Sequence, residues 1–519
     1  MRFPRSSGVL LHPTSLPGPW GIGDLGSAAY RFVDFLAAAG QSLWQILPLG
    51  PTGYGDSPYQ AFSAAAGNPL LVSLDALVGR GLLSHDELAA AAAGHPLDPA
   101  RVDYGAVIAF KLPLLRRSFE RLKAGADQEL AAAFERFKAE NSAWLDDYAL
   151  FMALKEAHGG VSWNEWPAEL RSRDASALER ARAEHAAGIE MQQYLQFLFF
   201  SQWAPLKAYA NQKGISIIGD TPIFVAYDSA DVWANPELFF LDSEGNPTVV
   251  AGVPPDYFSA TGQRWGNPLY RWERMAQDGY AWWVARLRAA FAQVDILRLD
   301  HFRGFAAYWE VPASQETAIN GRWVKGPGAA LFERLEQELG ALPLIAEDLG
   351  LITPDVHALR DQFDFPGMKV LQFAFDGDPA NSYLPHHHVQ NCVVYTGTHD
   401  NDTTIGWFQG LDEGQRHIVR TYLARDGSDI AWDLIRTAML SVADIAVIPF
   451  QDVLRLGGDA RMNTPGRLGG NWAWRFSEEA LNEHVAGELR FLTTLSDRLP
   501  SHLKPARGGE PPDYNPAER

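Results

Sequence analysis

The segment "YAWWVARLRAAFAQVDILRLDH" (Tyr280–His301) contains the pattern on which the fold prediction rests. Its first part, up to Val294, has the composition of a helix. The remainder, "DILRLDH", is a short apolar run of the kind that is typical of a buried strand in a parallel sheet. This run ends in an acid and a histidine. A helix followed by such a strand indicates a parallel sheet that is covered by helices.

The same kind of run occurs at seven other places along the chain. The runs are "SSGVLLH" (Ser6–His12), "SLWQILPLG" (Ser42–Gly50), "ISIIGDTP" (Ile215–Pro222), "LPLIAEDLG" (Leu342–Gly350), "KVLQFAF" (Lys369–Phe375), "CVVYTGTHD" (Cys392–Asp400) and "DIAVIPFQD" (Asp444–Asp452). Most of the eight runs follow helix-like segments, and this alternation predicts a parallel sheet. Eight such strands predict an α/β fold, a (β/α)8 TIM barrel.

Two intervals between these strands are too long for a single crossover helix. Residues 70–210 have the composition of a mostly helical insertion, and residues 224–272, rich in Pro, Gly and aromatic residues, are typical of a long loop that forms a lid. We therefore predict a catalytic barrel over residues 1–500 that is interrupted by these two insertions. We expect residues 501–519 to be disordered because Pro, Gly and charged residues dominate them. We expect no C-terminal β-sandwich domain after the eighth strand.

The composition argues against several classes of partner. The 519 residues carry a net charge of −19, and an acidic protein repels phosphate backbones, so a nucleic-acid partner is not expected. The chain has no stretch of 18 apolar residues, no N-terminal signal-peptide pattern and one cysteine, Cys392, which cannot form an internal disulfide. We therefore expect a cytoplasmic protein without a membrane partner.

Tryptophan is unusually frequent, with 17 residues in the chain. Such rings can fill a large core, or they can offer flat surfaces that stack on sugars. Composition alone favours the core.

Polar side chains recur at the carboxyl ends of the predicted strands, where barrels of this type carry their active sites. They are Asp220, Asp300, His301, Glu347, Asp348, His399, Asp400 and Asp452. One or two such residues would be ordinary strand caps, but acids at the ends of five strands favour a shared site. Asp300, Glu347 and Asp400 are the strongest candidates because a barrel brings their strand ends around one mouth.

Three kinds of chemistry fit these acids. A metal site would use them together with His301 and His399, but the chain has no HExxH motif, so no metal is expected. Glycoside chemistry needs one carboxylate as nucleophile and another that keeps its proton near neutral pH. A carbohydrate-binding protein without turnover would use the aromatic residues but needs no convergent acids. Glycoside chemistry is favoured, and the other two readings stay open.

Arg298 lies two residues before Asp300, so on a strand both side chains point to the same face. A guanidinium group there would keep Asp300 ionised, as a nucleophile should be. On this feature alone, a structural Arg–Asp pair is the favoured interpretation.

Seven blocks of sequence go further than these single residues. They are "LRLDHFRGF" (Leu297–Phe305), "IAEDLG" (Ile345–Gly350), "THDND" (Thr398–Asp402), "LPLGPTGYGDSPYQAFSAAAGNP" (Leu47–Pro69), "GDTPIFVAYDSADVWANPELF" (Gly219–Phe239), "AGVPPDYFSATGQRWGNPLY" (Ala251–Tyr270) and "ARMNTPGRLGGNWAWR" (Ala460–Arg475). The first three resemble the catalytic segments of 4-α-glucanotransferases of the amylomaltase or disproportionating-enzyme type, which form glycoside hydrolase family 77 in the α-amylase clan. The other four also look like this family, and together the blocks span nearly the whole chain.

The resemblance implies roles for the matching residues. Asp300 matches the nucleophile, Glu347 the general acid/base, and Asp400 the third carboxylate, which stabilises the distorted sugar ring. The residues that match sugar-binding or positioning roles are Arg298, His399, Asp220, Tyr59, Trp265, Ser57, Gln263 and Asn463, with Tyr59 below the sugar that is cleaved and Trp265 on the acceptor side. Tyr54 resembles part of a second glucan site, and the alignment leaves open whether Tyr104 is its companion.

The run "GTHDNDTTIGW" (Gly397–Trp407) contains both candidate site residues and residues with a predicted structural role. His399 and Asp400 are expected to face the sugar at a strand end. The following "NDTT" is predicted to cap the next helix, which gives Asp402 a mainly structural role.

The implied reaction is disproportionation of α-1,4-glucans without cofactor or metal. The enzyme would hold a glucan segment covalently and pass it to the 4-hydroxyl of an acceptor, or to the far end of the same chain to give a cyclic glucan. The implied partners are malto-oligosaccharides, amylose, starch or glycogen chains, and glucose as acceptor. The aromatic loop Ala251–Tyr270 is expected to exclude water so that sugar wins the transfer. A hydrolase of the same clan and a silent glucan-binding protein are the alternatives.

Overall fold

The structure, a computed structural model, describes residues 2–255 and 259–504, without the side chain of Tyr54. The strands are β1 (Ser6–Leu10), β2 (Leu43–Gln45), β3 (Ser216–Pro222), β4 (Val249–Val253), β5 (Gln263–Pro268), β6 (Ile296–Asp300), β7 (Ala307–Pro312), β8 (Arg322–Lys325), β9 (Leu344–Ala346), β10 (Gly367–Val370), β11 (Cys392–Tyr395) and β12 (Ile445–Pro449). The α-helices are α1 (Ser27–Ala38), α2 (Leu74–Gly79), α3 (His85–Ala92), α4 (Tyr104–Lys123), α5 (Gln128–Ala157), α6 (Ala168–Arg171), α7 (Ala175–Glu184), α8 (Ala186–Gln212), α9 (Ala230–Ala234), α10 (Trp272–Gln277), α11 (Ala281–Gln293), α12 (Arg303–Ala306), α13 (Ala329–Leu339), α14 (Pro354–Gln362), α15 (Thr404–Gly410), α16 (Glu413–Leu423), α17 (Ile430–Leu440), α18 (Phe450–Val453) and α19 (Glu483–Leu495).

Eight parallel strands form the central barrel, in the order β10–β11–β12–β1–β2–β3–β6–β9. They are the eight strands that the sequence predicts. The ring closes between β9 and β10, where the backbone N–H of Ala346 donates to the carbonyl of Pro366 at 2.9 Å. Every residue of β1 and β12 is buried, which explains why these strands are continuous apolar runs in the sequence. The predicted (β/α)8 TIM barrel is confirmed.

Between β2 and β3 the chain leaves the barrel and forms seven helices, α2 to α8. The two longest, α5 and α8, pack through aromatic side chains such as Phe134 and Phe197, whose ring centroids lie 5.5 Å apart. Asp103 and Asp127 cap the starts of α4 and α5 by accepting hydrogen bonds from backbone N–H groups. These helices occupy the region for which the sequence predicts a helical insertion. No helix in the described ranges is both long enough and apolar enough to span a membrane.

A second sheet contains four antiparallel strands in the order β5–β4–β7–β8. The sequence indicates a long loop over residues 224–272, but β4 and β5 form there, and β4 also pairs with β7, which follows β6. The strand pattern is hard to read because β4 contains Gly252 and β5 contains Gly266 and Pro268, residues that weaken a strand signal. Residues 256–258 of the predicted lid and residues 505–519 of the predicted tail lie outside the described residues.

Candidate active site

A buried arginine connects two acids at the ends of neighbouring strands. β3 and β6 pair so that Asp220 lies opposite Arg298 and Pro222 opposite Asp300. Arg298 Nη1 lies 2.6 Å from Asp220 Oδ2 and 2.9 Å from Asp300 Oδ1. The Asp220 side chain is 0% exposed, whereas that of Asp300 is 31% exposed. Asp300 is therefore the acid of this group that a ligand can reach, and Asp220 stands behind it.

Burial raises the pKa of Asp220 to about 6, against the opposing effect of the Arg298 charge. Asp220 is therefore ionised at pH 7 and balances the arginine. Its Oδ2 also accepts a hydrogen bond from the hydroxyl of Tyr59 at 2.8 Å. These contacts hold Asp220 and Arg298 in place next to Asp300.

Glu347 follows directly after β9 and lies close to Asp300. Its Oε2 accepts from the backbone N–H of His301 at 2.7 Å, and its Oε1 accepts from that of Leu349 at 2.9 Å. Burial, and after it the negative charge of Asp300, raise the pKa of Glu347 to about 8. A carboxyl group with this pKa keeps its proton at neutral pH and can donate it to a leaving group.

Asp400 lies beyond the end of β11, and its side chain is 49% exposed. Asn463 Nδ2 donates to Asp400 Oδ1 at 2.6 Å, and Arg461 Nη2 donates to the backbone carbonyl of Asp400 at 2.7 Å. His399 Nε2 lies 3.5 Å from Asp400 Oδ2. The loop after β12, which carries Arg461 and Asn463, thus orients the third carboxylate.

The run after Asp400 starts the next helix. Thr403 caps α15 by accepting a hydrogen bond from the N–H of Gly406, and Asp402 Oδ1 accepts from the N–H of Thr403 at 2.8 Å. The capping role predicted for "NDTT" is confirmed, and Asp402 supports the turn.

Aromatic rings form the floor and one wall of the site. The ring of Tyr59 stacks on that of His399 with centroids 5.1 Å apart and planes at 18°, and Trp472 lies 5.9 Å from Tyr59. On the opposite wall, Trp265 of β5 meets the ring of His301 edge-on at 4.7 Å, and its Nε1 donates to Gln263 Oε1 at 3.2 Å. Tyr59, Trp472 and Trp265 line the same cleft as Asp300 and Asp400.

An open cleft of about 310 Å³ connects most of these groups, a volume at the lower end of the range typical of ligand sites. It is lined by Ser57, Tyr59, Gln60, Pro222, Ile223, Phe224, Gln263, Trp265, Asn267, Asp300, His301, His399, Asp400, Asn463 and Trp472. Most of the predicted site residues therefore meet at one mouth. Arg298 and Asp220 lie behind Asp300, and Glu347 lies against the backbone of His301. Among the described residues, no group of three or more His, Cys, Asp or Glu side chains is arranged to hold a metal.

Of the two residues considered for a second glucan site, only Tyr104 has a described side chain. The side chain of Tyr54 lies outside the described part of the chain. Tyr104 is buried, 7% exposed, and its hydroxyl donates to the carbonyl of Trp472 at 2.9 Å. Tyr104 therefore packs inside the protein and cannot offer its ring to a glucan.

Several residues of the site are not among those that the sequence predicts. Trp472 and Arg461 belong to a block that resembles the family, but neither is an acid at a strand end, so the strand-end rule does not select them. Asn267 lies in β5, which was not predicted, and donates to the carbonyl of Val225 at 2.9 Å. The signal that could find Trp472, Arg461 and Asn267 is their place in the family blocks, where polar and aromatic residues are frequent.

Comparison with known proteins gives a consistent result. The family model Glyco_hydro_77, described as 4-alpha-glucanotransferase, matches residues 11–481. The chain is 53% identical over 507 residues to the 4-alpha-glucanotransferase of Thermus thermophilus, which covers 96% of this chain and 100% of the relative. It is 52% identical over 502 residues to that of Synechocystis sp., covering 96% and 99% of the two chains.

Among solved structures, the amylomaltase from Streptococcus agalactiae in complex with acarbose is similar with a TM-score of 0.92 and 40% identity, covering 96% of this chain and 100% of that one. Both the sequence and the structural likeness extend over nearly the full length, including the strand ends that carry Asp300, Glu347 and Asp400. The chain belongs to glycoside hydrolase family 77, the 4-alpha-glucanotransferases.

Proposed function

We propose that this 4-alpha-glucanotransferase works by double displacement at one anomeric carbon, with Asp300 as nucleophile and Glu347 as general acid/base. The observation that carries the proposal is the contrast between the two acids. Asp300 is paired with the Arg298 guanidinium at 2.9 Å and opens to the cleft, where its oxygens can reach a bound sugar. Glu347, whose pKa is raised to about 8, holds a proton at neutral pH.

In the first step, an Asp300 oxygen attacks C1 of the donor glucan, and the bond between C1 and the glycosidic oxygen breaks. Glu347 gives its proton to that oxygen, so the fragment with the original reducing end leaves as an alcohol. In the second step, the 4-hydroxyl of an acceptor gives its proton to Glu347, and its oxygen attacks C1 and releases Asp300. Two inversions at one carbon retain the α linkage.

Asp400 and Tyr59 are proposed to hold the sugar at the point of cleavage. Asp400, oriented by Asn463, would accept hydrogen bonds from sugar hydroxyls that strengthen as positive charge develops in the ring. Tyr59, stacked on His399, would form the floor under that sugar. Both contacts favour the distorted ring of the transition state over the relaxed substrate.

On the acceptor side, we propose that Trp265 stacks on the incoming sugar while Gln263 and Ser57 add hydrogen bonds. A sugar seated there would exclude water and favour transfer over hydrolysis. The proposed donors are malto-oligosaccharides, amylose, starch and glycogen chains, with glucose as a small acceptor and a cyclic glucan as the product when a chain accepts itself. The acarbose in the similar streptococcal structure supports a saccharide ligand for this cleft. A second glucan contact at Tyr54 is part of the same proposal.

We also propose a cytoplasmic location. Cys392 is buried in β11 and is a free thiol. A free, buried cysteine fits a reducing compartment. Fractionation of cells that express the chain would test this.

Incubation with maltotriose, followed by separation of the products, tests the function. Transfer predicts glucose together with a ladder of longer malto-oligosaccharides, with little net gain in reducing ends. Accumulation of glucose and maltose with rising reducing ends would instead identify a hydrolase. If maltotriose stayed unchanged, the test would be repeated with amylose, and binding without turnover there would identify a glucan-binding protein.

A further inference from the structure

Trp323, in the edge strand β8, is an exposed tryptophan outside the cleft. Its residue surface is 43% exposed. Its ring contacts that of Trp309 across the β7–β8 pair, with centroids 5.2 Å apart and planes at 68°. Trp309 packs on the small apolar cluster of Val250 and Val311, but Trp323 belongs to neither apolar cluster of the described residues. Packing of the interior therefore does not account for Trp323.

A buried cation holds the indole of Trp323 in place. The guanidinium carbon of Arg303 lies 3.9 Å from the ring centroid, and the Arg303 residue is only 8% exposed. Arg303 also donates to the backbone carbonyl of Leu351. A cation over an aromatic face is attractive, and here it lies on the protein side of the ring. The indole is thus fixed from below while a large part of it stays open to solvent.

This platform lies next to the general acid/base. Arg303 is two residues beyond His301, whose backbone N–H donates to Glu347 Oε2 at 2.7 Å. Leu351 follows Glu347 by four residues along the chain, and it is 70% exposed. The leaving fragment and the acceptor both occupy the side of the scissile bond that Glu347 protonates. Arg303, which lies over the Trp323 ring and donates to the Leu351 carbonyl, therefore connects Trp323 and Leu351 to the segment that holds Glu347.

We propose that Trp323 and Leu351 form a remote acceptor subsite for α-1,4-glucan chains, which a short acceptor does not reach. The exposed indole face stacks on the apolar face of a glucose unit, and the Leu351 side chain covers its edge. The inference rests on the glucan transfer proposed above, because it assigns a place to the outer part of the acceptor. It predicts a preference for long acceptors that the cleft residues alone do not create.

The test compares two acceptors with the same donor. The transfer of glucan to a labelled acceptor is measured with reducing-end-labelled maltoheptaose and with labelled glucose, for the parent chain and for Trp323→Ala. The ratio of kcat/KM for the long acceptor to that for glucose should fall by about three- to tenfold, the effect of losing one aromatic stacking contact. Trp323→Phe, which keeps a ring, should restore most of the ratio. Tyr422→Ala, at an exposed aromatic that is 37% exposed and lies on α16, is the matched control and should leave the ratio unchanged.

Retardation in native gels that contain amylose gives a second readout, independent of turnover, in which Trp323→Ala and Leu351→Ala should each migrate faster than the parent. An unchanged ratio and unchanged retardation would overturn the proposal. A parallel loss with both acceptors, together with a lower melting temperature, would also overturn it, since Trp323 would then only support the fold. A parent chain that transfers to neither acceptor would refute the proposed function, and the gel would still decide whether Trp323 contacts glucan.

Discussion

Arg298 is the residue on which the proposed chemistry of the site depends. It is 3% exposed, and its one guanidinium group contacts both Asp220 and Asp300. The two acids lie in different surroundings, because Asp220 is enclosed while Asp300 opens to the cleft. We therefore propose that the Arg298–Asp300 pair serves both the fold and the reaction, although the sequence spacing alone favours the structural interpretation.

Replacing Arg298 with Met should destabilise the fold as well as stop transfer. Asp220 would be left as a buried acid without its cation, and the free energy of unfolding at pH 7 should fall by about 3–5 kcal/mol. The loss should be smaller at pH 5, because the folded-state pKa of Asp220 would rise further and the group would then bind a proton instead of staying charged. Denaturant titrations at both pH values measure this.

Arg288→Met is the matched control, since Arg288 makes a 4.0 Å pair with Glu338 at the surface and should change stability by about 1 kcal/mol or less. Equal losses for the two variants would contradict the role given to Arg298.

The pKa of Glu347 predicts the alkaline side of the pH profile. Burial and the Asp300 charge raise the pKa of Glu347 to about 8, and only the protonated form can protonate a leaving group. The value of kcat/KM for maltotriose should therefore decline as pH rises through about 8. Because Asp300 contributes to the shift, the pKa of Glu347 should be lower in Asp300→Asn, which ¹³C NMR of labelled glutamate can measure. A profile that stays flat well above this pH would exclude Glu347 as the acid.

At the scale of elements, β5 places an aromatic wall opposite Asp300. Trp265 of β5 is predicted to keep water from the covalent intermediate while an acceptor binds. Trp265→Ala should therefore raise the share of donor that is hydrolysed severalfold, whereas Trp265→Phe should retain most transfer. Parallel measurement of glucose, longer oligosaccharides and reducing ends gives the ratio. An unchanged ratio in Trp265→Ala would refute the water-exclusion role.

The contact between β1 and β2 depends on a glycine. A Cβ atom at Gly8 would lie 2.4 Å from both the Cβ and the carbonyl oxygen of Leu43, so the two strands would have to move apart. Gly8→Ala should lower the free energy of unfolding by about 1–3 kcal/mol, as overpacking does. Gly79→Ala is the control because nothing lies within 4 Å of the added atom there. Thermal unfolding of both variants measures the change in stability. A Gly8→Ala protein that is as stable as the parent would contradict the close contact between β1 and β2.

The elements also show where sequence reasoning works. The barrel strands were predictable because burial on both faces leaves them as short, largely apolar runs, five of which end in an acid. The strands β4, β5, β7 and β8 were not, because glycine interrupts β4 and β5, β8 has only four residues, and their pairing connects segments on both sides of β6. Asp300, Glu347 and Asp400 are predicted as candidates by the rule that active sites lie at the carboxyl ends of barrel strands. Trp472 and Arg461 are not, since an aromatic residue or a cation in a long loop carries no periodic signal.

At the scale of the whole molecule, the tryptophans serve mainly the interior. Trp44, Trp163, Trp166, Trp203, Trp233 and Trp283 are among the largest fully buried side chains. Trp265 and Trp472 line the cleft, and Trp323 is exposed beside it. The reading that composition favoured, aromatic residues as core, is thus right for most of these rings. The rings that line the cleft at the barrel mouth are the ones proposed to contact the glucan.

In the proposed mechanism, Asp300 becomes covalently bound to the glucan while Glu347 moves the proton. Mass spectrometry of Glu347→Gln after incubation with α-maltosyl fluoride tests it, because fluoride leaves without an acid and the intermediate then lacks its base for release. The account predicts a protein that is heavier by one maltosyl group, with the addition located on the peptide that contains Asp300, and no addition in the double variant Asp300→Asn, Glu347→Gln. An adduct on another carboxylate, or an equal adduct in the double variant, would contradict it.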